Sequence, residues 1–251
     1  MSGKVTTKEY EIHYYEIDYK KRLLLTSLMN FFNDIVNHQS EDFNVGIDYM
    51  AERKKTWVLY KWSINIKRYP LLEEIIRIKT VPSSFNKFFG YRKYEVYDSK
   101  DDLIMTADSV WFLIDIEKRK PIRISDDMYL AYGISKDDNA DVKIKKIKSP
   151  EQTQYEKTFN VRYSDIDTNK HVNNVNYVAW ALETVPKEIV LDHSLNNIIV
   201  TYEKETTYGD IVKSKVQVID NQDGTILCKH KIEGNNGTEL TIMETNWTSN
   251  K

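Results

Sequence analysis

The chain of 251 residues carries 36 Lys and Arg against 38 Asp and Glu, and its formal net charge of −2 lacks the basic excess typical of nucleic-acid-binding proteins. Hydrophobic residues make up 41% and charged residues 29%, which suits a folded chain with a buried core rather than a disordered one. The single cysteine, Cys228, excludes an internal disulfide and a cysteine-based metal cluster, and neither common Gly-rich phosphate loop is present.

The first periodic segment along the chain is helical. Leu24 and Leu28 begin a series of apolar residues at helical spacing, and Thr26 is a candidate N-terminal cap. Alternating apolar residues then predict strands over 57–66 and 90–97, since a strand with one buried face requires that alternation.

The second half of the chain repeats this order. Val175 and Leu182 belong to another helical series, with Asn173 or Asn174 as its cap, and residues 212–219 alternate as a strand does. Turn signals punctuate the alternating runs and predict hairpins. Because each helix precedes a block of strands, the pattern indicates an α+β fold with a mostly antiparallel sheet.

The two halves resemble copies of one unit. Three anchors recur in the same order at separations of 149, 139 and 136 residues. They are residues 14–18 with 163–167, Tyr69 with Tyr208, and Trp111 with Trp247. The repeat predicts a first domain over 1–130, a linker over 131–153 and a second domain over 154–251. Within that linker, the lysine-rich residues 143–148 favour a solvated connector over a binding patch.

The densest polar cluster stands directly before the second helix. Asp167, Asn169 and His171 are spaced by two, so in an extended stretch their side chains project to one side. The free N–H groups and the positive end of the helix would lie beside them. Such a cluster suits the stabilisation of developing oxyanion charge. The first copy has Lys20 and Arg22 at the corresponding positions, so only the second copy keeps the cluster.

Plainer interpretations of this cluster compete with the catalytic one. Asp, Asn and His are also ordinary turn and capping residues ahead of a helix. The other histidines are scattered, which disfavours a metal site, and the absence of a Gly-x-Ser-x-Gly motif disfavours a Ser-His-Asp hydrolase. We therefore expect no metal and no cofactor.

Residues 167–186 carry the run Asp-x-Asn-x-His-Val-Asn-Asn-Val-x-Tyr, followed by a Trp and by Leu-Glu-x-x-Pro. This run resembles the signature of the acyl-acyl-carrier-protein (acyl-ACP) thioesterases, plant and bacterial enzymes that end fatty-acid elongation. Supporting stretches occur in order at 28–30, 57–58, 68–70 and 107–111. The resemblance implies a tandem double hot-dog, in which each half is a long helix wrapped by a curved antiparallel sheet. It also implies hydrolysis of fatty acyl-ACP to free fatty acid and carrier protein.

The resemblance adds a catalytic acid after the second helix. Glu205 matches the family's acid in a Tyr-x-x-Glu stretch, and Glu203 is a competitor two residues away. Many plant members have a cysteine directly after this glutamate, where this chain has Thr206. We therefore expect no thiol nucleophile, and we expect Cys228 to be a small buried residue of a strand.

The implied reaction uses four side chains of the second copy. Glu205 would activate a water held with Asn169, and His171 would donate toward the oxyanion or the leaving sulfur. Asp167 would orient Asn169 and His171. A direct attack by Asp167 or Glu205 that forms an anhydride stays open.

The first copy would hold the fatty chain, because such a chain needs an apolar tunnel. The candidate lining residues are Met29, Phe32, Trp57 and Trp62, and ordinary core packing is an equal alternative for each of them. The carrier protein is acidic, so a basic docking patch is expected near the site. The candidates for docking are Arg162, Lys170 and Lys204, with residues 143–148 as a second choice.

Other function classes remain open at this stage. They are a hot-dog acyl-CoA thioesterase, a hydratase or dehydratase, and a non-catalytic acyl-binding module. We expect a monomer or homodimer that binds no nucleic acid. Its apolar runs are far shorter than the ~20 residues that span a bilayer, and the N-terminal stretch lacks a signal-peptide core. We therefore expect a cytoplasmic protein.

Overall fold

The computed structural model describes residues 3–137 and 142–250. They form two compact units: Met1–Tyr60 with Ile66–Lys143, and Lys61–Asn65 with Ile144–Lys251. Residues 138–141, within the expected linker, lie outside the described residues, and the domain boundaries at 130 and 154 stay a prediction. Among the described helices, none is long and apolar enough to cross a membrane.

The first unit is an antiparallel sheet with one long helix. Its strands follow the order β1-β3-β4-β5-β2, and the short β6 pairs with β5. The elements are β1 (Thr6–Glu11), α1 (Leu25–Asp42), α2 (Ile47–Glu52), β2 (Lys55–Ile66), β3 (Ile75–Asn86), β4 (Phe89–Tyr97), β5 (Leu103–Asp115), β6 (Lys120–Pro121) and α3 (Asp126–Tyr132). Helix α1 packs against β1 and β3.

The second unit repeats this arrangement. Its strands follow the order β7-β9-β10-β11-β8, and residues 61–65 of β2 pair antiparallel with β8. The elements are β7 (Tyr155–Asn160), α4 (Asn174–Thr184), α5 (Lys187–Asp192), β8 (His193–Tyr202), β9 (Ile211–Asp220), β10 (Thr225–Gly234) and β11 (Glu239–Ser249). Helix α4 packs against β7, β9 and β10. One helix on an antiparallel sheet, occurring twice, is the predicted α+β pattern.

The two long helices begin differently. Leu24 precedes α1 without a side-chain cap, so the prediction that Thr26 caps this helix is wrong. The side chain of Asn173 accepts a hydrogen bond from the N–H of Val175 at 3.1 Å and caps α4, one residue before the alternative Asn174. An Asn carboxamide at this position satisfies one of the N–H groups that a helix start leaves without a partner.

A matching polar contact lies in the core of each unit. In β5 the Trp111 indole N–H donates to the Ser109 hydroxyl at 2.7 Å. In β11 the Trp247 indole N–H donates to the Thr245 hydroxyl at 2.9 Å. The two pairs are 136 residues apart, so the structure confirms Trp111 and Trp247 as equivalent positions of the repeat.

The Thr245 hydroxyl also lies 2.8 Å from Nε2 of His230, a fully buried histidine of β10. Burial lowers the pKa of His230 to about 3, because a buried imidazolium loses its hydration. The folded state therefore keeps this ring neutral over a pH range in which an exposed histidine takes up a proton.

We predict that His230 makes the protein less stable as the pH falls from about 6.5 to about 3. The unfolded chain binds a proton at His230 below its ordinary pKa, whereas the folded chain does not, so unfolding gains up to about 1.4 kcal/mol per pH unit. His230→Gln keeps a hydrogen-bonding side chain without this titration. Its urea-unfolding free energy should fall less steeply over that range, and parallel curves for the two proteins would contradict the assignment.

Candidate active site

The polar cluster ahead of α4 is a tight turn. Ile166 and Val172 form an antiparallel bridge, and the N–H of Asp167 donates to the carbonyl of His171 at 2.8 Å. The Asp167 carboxylate accepts the N–H groups of Asn169 at 2.8 Å and His171 at 3.4 Å. The predicted extended stretch is therefore wrong, because an Asp side chain that bonds backbone N–H groups ahead of it favours a turn.

This turn is joined to the start of α4. The carbonyl of Asp165 accepts the N–H of Asn173 at 2.8 Å and the side-chain amide of Asn176 at 3.0 Å. Asp165 is buried, and its carboxylate binds the guanidinium of Arg162 at 2.8 Å. The turn carrying Asp167 and His171 is thus fixed to the helix by backbone and side-chain hydrogen bonds.

The turn places His171 beside Glu205. Nδ1 of His171 lies 3.1 Å from Oε2 of Glu205, and the two side chains are 26% and 39% exposed. A carboxylate at this distance orients the imidazole and stabilises its protonated form. Both groups remain accessible to a substrate.

Glu205 lies in the loop that follows β8, not within the strand. The N–H groups of Glu203 and Lys204 both donate to the carbonyl of Leu240, at 2.8 and 3.1 Å. This backbone contact fixes the beginning of the loop, and it is Glu205 that lies against His171. The geometry therefore favours Glu205 over Glu203, as the resemblance does.

The residue after Glu205 anchors the loop to the helix side. The Thr206 carbonyl accepts the N–H of Val172 at 3.0 Å, and the Thr206 N–H donates to the Tyr177 hydroxyl at 3.2 Å. The Thr206 hydroxyl donates to Asp210 at 2.6 Å, and this bond is the main cause of the lowered pKa of Asp210. Three hydrogen bonds on one residue fix the backbone next to Glu205.

Neither Thr206 nor Cys228 serves as a nucleophile in this arrangement. The Thr206 hydroxyl is engaged by Asp210, and Cys228 is fully buried in β10. Burial raises the pKa of the Cys228 thiol to about 12, so the reactive thiolate is disfavoured. The prediction that Cys228 is a buried strand residue is confirmed.

The first unit contains the same turn with different side chains. The Asp18 carboxylate accepts the N–H groups of Lys20 at 2.8 Å and Arg22 at 2.9 Å, and the N–H of Leu23 donates to the Pro70 carbonyl at 2.8 Å. The Arg22 guanidinium binds Asp18 at 3.0 Å and lies 5.3 Å from the centre of the Tyr69 ring. A guanidinium over an aromatic ring takes the place of the imidazole and carboxylate.

This comparison corrects one anchor of the repeat. Because Pro70 and Thr206 accept equivalent backbone bonds, Tyr69 corresponds to Glu205 at a separation of 136 residues. The predicted match of Tyr69 with Tyr208 is therefore wrong. The corrected separation is also that of Trp111 and Trp247, so one register runs through the sheets of both units.

The residues expected to hold a fatty chain are placed as core residues. Met29, Phe32 and Trp62 are fully buried, and the Phe32 ring lies 4.7 Å from that of Tyr94. Trp57 stacks on Phe85 at 5.7 Å, within a core cluster of the first unit. These contacts are those of ordinary packing, and a role in acyl-chain binding stays a prediction.

The basic residues expected to dock a carrier protein differ in their surroundings. The Arg162 side chain is 70% exposed, but its guanidinium is bound by buried Asp165. Lys170 is exposed at the tip of the turn, with a left-handed φ of 66°, and Lys204 is exposed beside Glu205. Asn169 is exposed at the same tip. Docking by Arg162, Lys170 and Lys204 stays a prediction.

Sequence reasoning missed two residues that shape this site. Tyr177 supports the Glu205 loop, and Asp165 bonds the turn to α4. Asp165 had a signal, since Glu16 holds the corresponding position and each carboxylate accepts the N–H three residues earlier. Tyr177 had none, because an aromatic residue at helical spacing predicts core packing.

Family models match nearly the whole chain. The acyl-ACP thioesterase N-terminal domain matches residues 3–132, and the acyl-ACP thioesterase C-terminal domain matches residues 148–249. The chain belongs to the acyl-ACP thioesterase family. The predicted family membership is thereby confirmed, and the His171–Glu205 pair lies within the part matched by the C-terminal domain.

Curated plant thioesterases are similar to this chain. The oleoyl-ACP thioesterase of Coriandrum sativum is 26% identical over 94% of the chain and 68% of its own length. The dodecanoyl-ACP hydrolase of Cinnamomum camphora is 24% identical over 98% of the chain and 68% of its own length. Oleoyl-ACP thioesterase 1 of Arabidopsis thaliana is 28% identical over 87% and 65%. All three are named as chloroplastic proteins.

Solved thioesterase structures share the fold. A protein described as an oleoyl thioesterase from Lactobacillus plantarum superposes with a TM-score of 0.90 at 25% identity, covering 98% of this chain and 97% of that one. The 12:0-ACP thioesterase of Umbellularia californica gives a TM-score of 0.83 at 22% identity, covering 98% and 97%. The predicted α+β tandem double hot-dog is thereby confirmed.

We predict that Tyr177→Phe lowers kcat by about tenfold or more, because a small displacement of a catalytic group is costly. The Thr206 N–H would lose its acceptor and Glu205 its fixed place against His171. An unpaired buried N–H also costs about 1–3 kcal/mol of stability.

The matched control is Tyr202→Phe. The Tyr202 hydroxyl donates to the Asn174 carbonyl at 3.1 Å, within the same aromatic cluster but not to the Glu205 loop. Steady-state kinetics and thermal unfolding of both variants separate the two effects. If Tyr202→Phe loses as much kcat as Tyr177→Phe at the same loss of stability, Tyr177 has only a structural role.

Proposed function

We propose that this chain hydrolyses fatty acyl-ACP thioesters, releasing free fatty acid and carrier protein and so ending chain elongation. The observation that carries the proposal is the contact of 3.1 Å between His171 and Glu205, in a unit that belongs to a thioesterase family. Acyl carrier protein is also the substrate carrier in the names of the plant relatives.

The reaction begins with a water between Glu205 and the thioester carbonyl. Glu205 takes a proton from this water, and the oxygen of the water attacks the carbonyl carbon. His171 donates toward the oxyanion and then protonates the leaving sulfur as the carbon–sulfur bond breaks. Asn169, at the tip of the same turn, orients the water. The products are a fatty acid and the free thiol of the carrier.

Asp167 acts through the turn and not on the substrate. Its carboxylate accepts two backbone N–H groups, which set the positions of Asn169 and His171. A carboxylate bonded in this way is a poor nucleophile, so it is Glu205 that remains for the alternative route through an anhydride. Hydrolysis in ¹⁸O-water under single-turnover conditions distinguishes the routes, because an anhydride transfers an enzyme oxygen to the product.

We predict that His171→Ala and Asn169→Ala each lower kcat by at least about a hundredfold, the effect of a lost acid–base group or oxyanion donor. Both side chains are partly or fully exposed, so stability should stay close to that of the wild type. Glu205→Gln should lose at least as much rate while it keeps the shape of the side chain. Activity within a few-fold of wild type in any of the three would refute the role given to that residue.

Thiol release from acyl-ACP and from acyl-CoA, measured in parallel over several chain lengths, tests the substrate class. A higher kcat/KM for the carrier substrate supports the proposal, and the reverse supports the acyl-CoA alternative. Hydration of an enoyl substrate, or tight acyl binding without thiol release, would point to the other two classes. A monomeric or dimeric state and a cytoplasmic location stay proposals, and the plant relatives are named as chloroplastic.

A further inference from the structure

A lysine-rich segment, residues 144–148, is anchored to the sheet of the second unit. Ile147 is buried against Ile199 of β8 and Ile242 of β11, and Ile144 packs against the same cluster. We call this segment the basic strap. Its buried isoleucines show that it is not the fully solvated connector that the sequence favours for residues 143–148.

An ion pair adds to this anchor. Nζ of Lys145 lies 2.7 Å from the carboxylate of Glu244, whose side chain is only 6% exposed. Ser149, directly after the strap, donates to the carboxylate of Glu239. These contacts fix the register of the strap, so that Lys146 and Lys148 are held in solvent by a rigid support.

The basic strap lies close to the Glu205 loop. Ile242, on which the strap packs, is two residues from Leu240, or about 7 Å along the strand. The Leu240 carbonyl accepts the N–H groups of Glu203 and Lys204 at the start of that loop. The strap therefore crosses the sheet beside the strand ends that carry the catalytic carboxylate.

Positive charge gathers in this region. Burial lowers the pKa of Lys61, and the charge of Lys146 lowers it further, while Glu203 acts in the opposite direction. Lys204 is exposed next to Glu205. Two nearby carboxylates are already engaged, Glu244 by Lys145 and Glu239 by Ser149.

A chain with a net charge of −2 has no general excess of lysine, so this local surplus is not a consequence of its composition. Clustered like charges repel one another, and holding them on a rigid support is useful where an oppositely charged surface is bound. The acidic macromolecule that the proposed reaction supplies is the carrier protein itself.

We propose that the basic strap, together with Lys204, is the surface on which the acidic carrier protein docks while its acyl thioester reaches the Glu205 loop. The inference rests on the proposed function and names the surface through which its partner is bound. Arg162, whose guanidinium is bound by Asp165, contributes less than Lys146, Lys148 and Lys204.

The test is Lys146→Glu with Lys148→Glu, which leaves Ile144, Lys145 and Ile147 in place. The readout is the ratio of kcat/KM for acyl-ACP to kcat/KM for the same acyl group on pantetheine, which is small and uncharged. The ratio should fall by about tenfold or more, the usual effect of reversing charges that steer association. Raising the ionic strength should lower the wild-type ratio more steeply than that of the variant.

The matched control is Lys100→Glu with Lys187→Glu, which makes the same charge change at two exposed lysines elsewhere. This control should keep the wild-type ratio. A wild-type ratio in the strap variant, or an equal fall in the control, overturns the docking surface but leaves the proposed function standing. No thiol release by the wild type from either substrate would overturn both.

Discussion

The whole site depends on one backbone hydrogen bond, from the N–H of Val172 to the carbonyl of Thr206. Val172 directly follows His171, and Thr206 directly follows Glu205, so this bond joins two segments that are far apart in sequence at the point where their side chains react. The turn ahead of α4 and the loop after β8 each have their own supports. Without this bond the imidazole and the carboxylate would have no fixed distance, and general acid–base chemistry depends on that distance.

The first unit shows that this support is independent of the chemistry. There the same bond, from Leu23 to Pro70, joins a turn and a loop of the same form. A proline can fill the second position because only its carbonyl is needed. Arg22 and Tyr69 occupy the places of the imidazole and the carboxylate, and they make a cation–π contact instead of an acid–base pair. Catalysis in one copy and packing in the other thus differ by a few side chains on one backbone.

The fold was predictable from the sequence because its signals are periodic. Alternating strands, two helical series and the repeat together indicated α+β halves before any coordinates. The loops were less predictable. Asp167, Asn169 and His171 were found as a cluster, but their predicted extended form was wrong, because hydrogen bonds from the backbone to an Asp side chain do not appear as a period in sequence.

The partner of His171 shows the same limit. Glu205 came from the family resemblance, since a contact between residues 34 positions apart cannot be read from local spacing. The misaligned Tyr69 has a related cause: Tyr208 offered the same residue type, whereas the true equivalent is a glutamate. Buried Arg92, bonded by Gln39 and Thr80 in the first unit, was likewise hidden, because its strand position reads as apolar.

The deep burial of Cys228 has a practical consequence. With the only native sulfhydryl shielded by the sheet and its ionisation suppressed, the wild-type chain should resist alkylating reagents and air oxidation while it is folded. A cysteine introduced at any exposed position would then be modified alone. Fluorophores, spin labels or crosslinkers could be attached at chosen points without first removing a native residue.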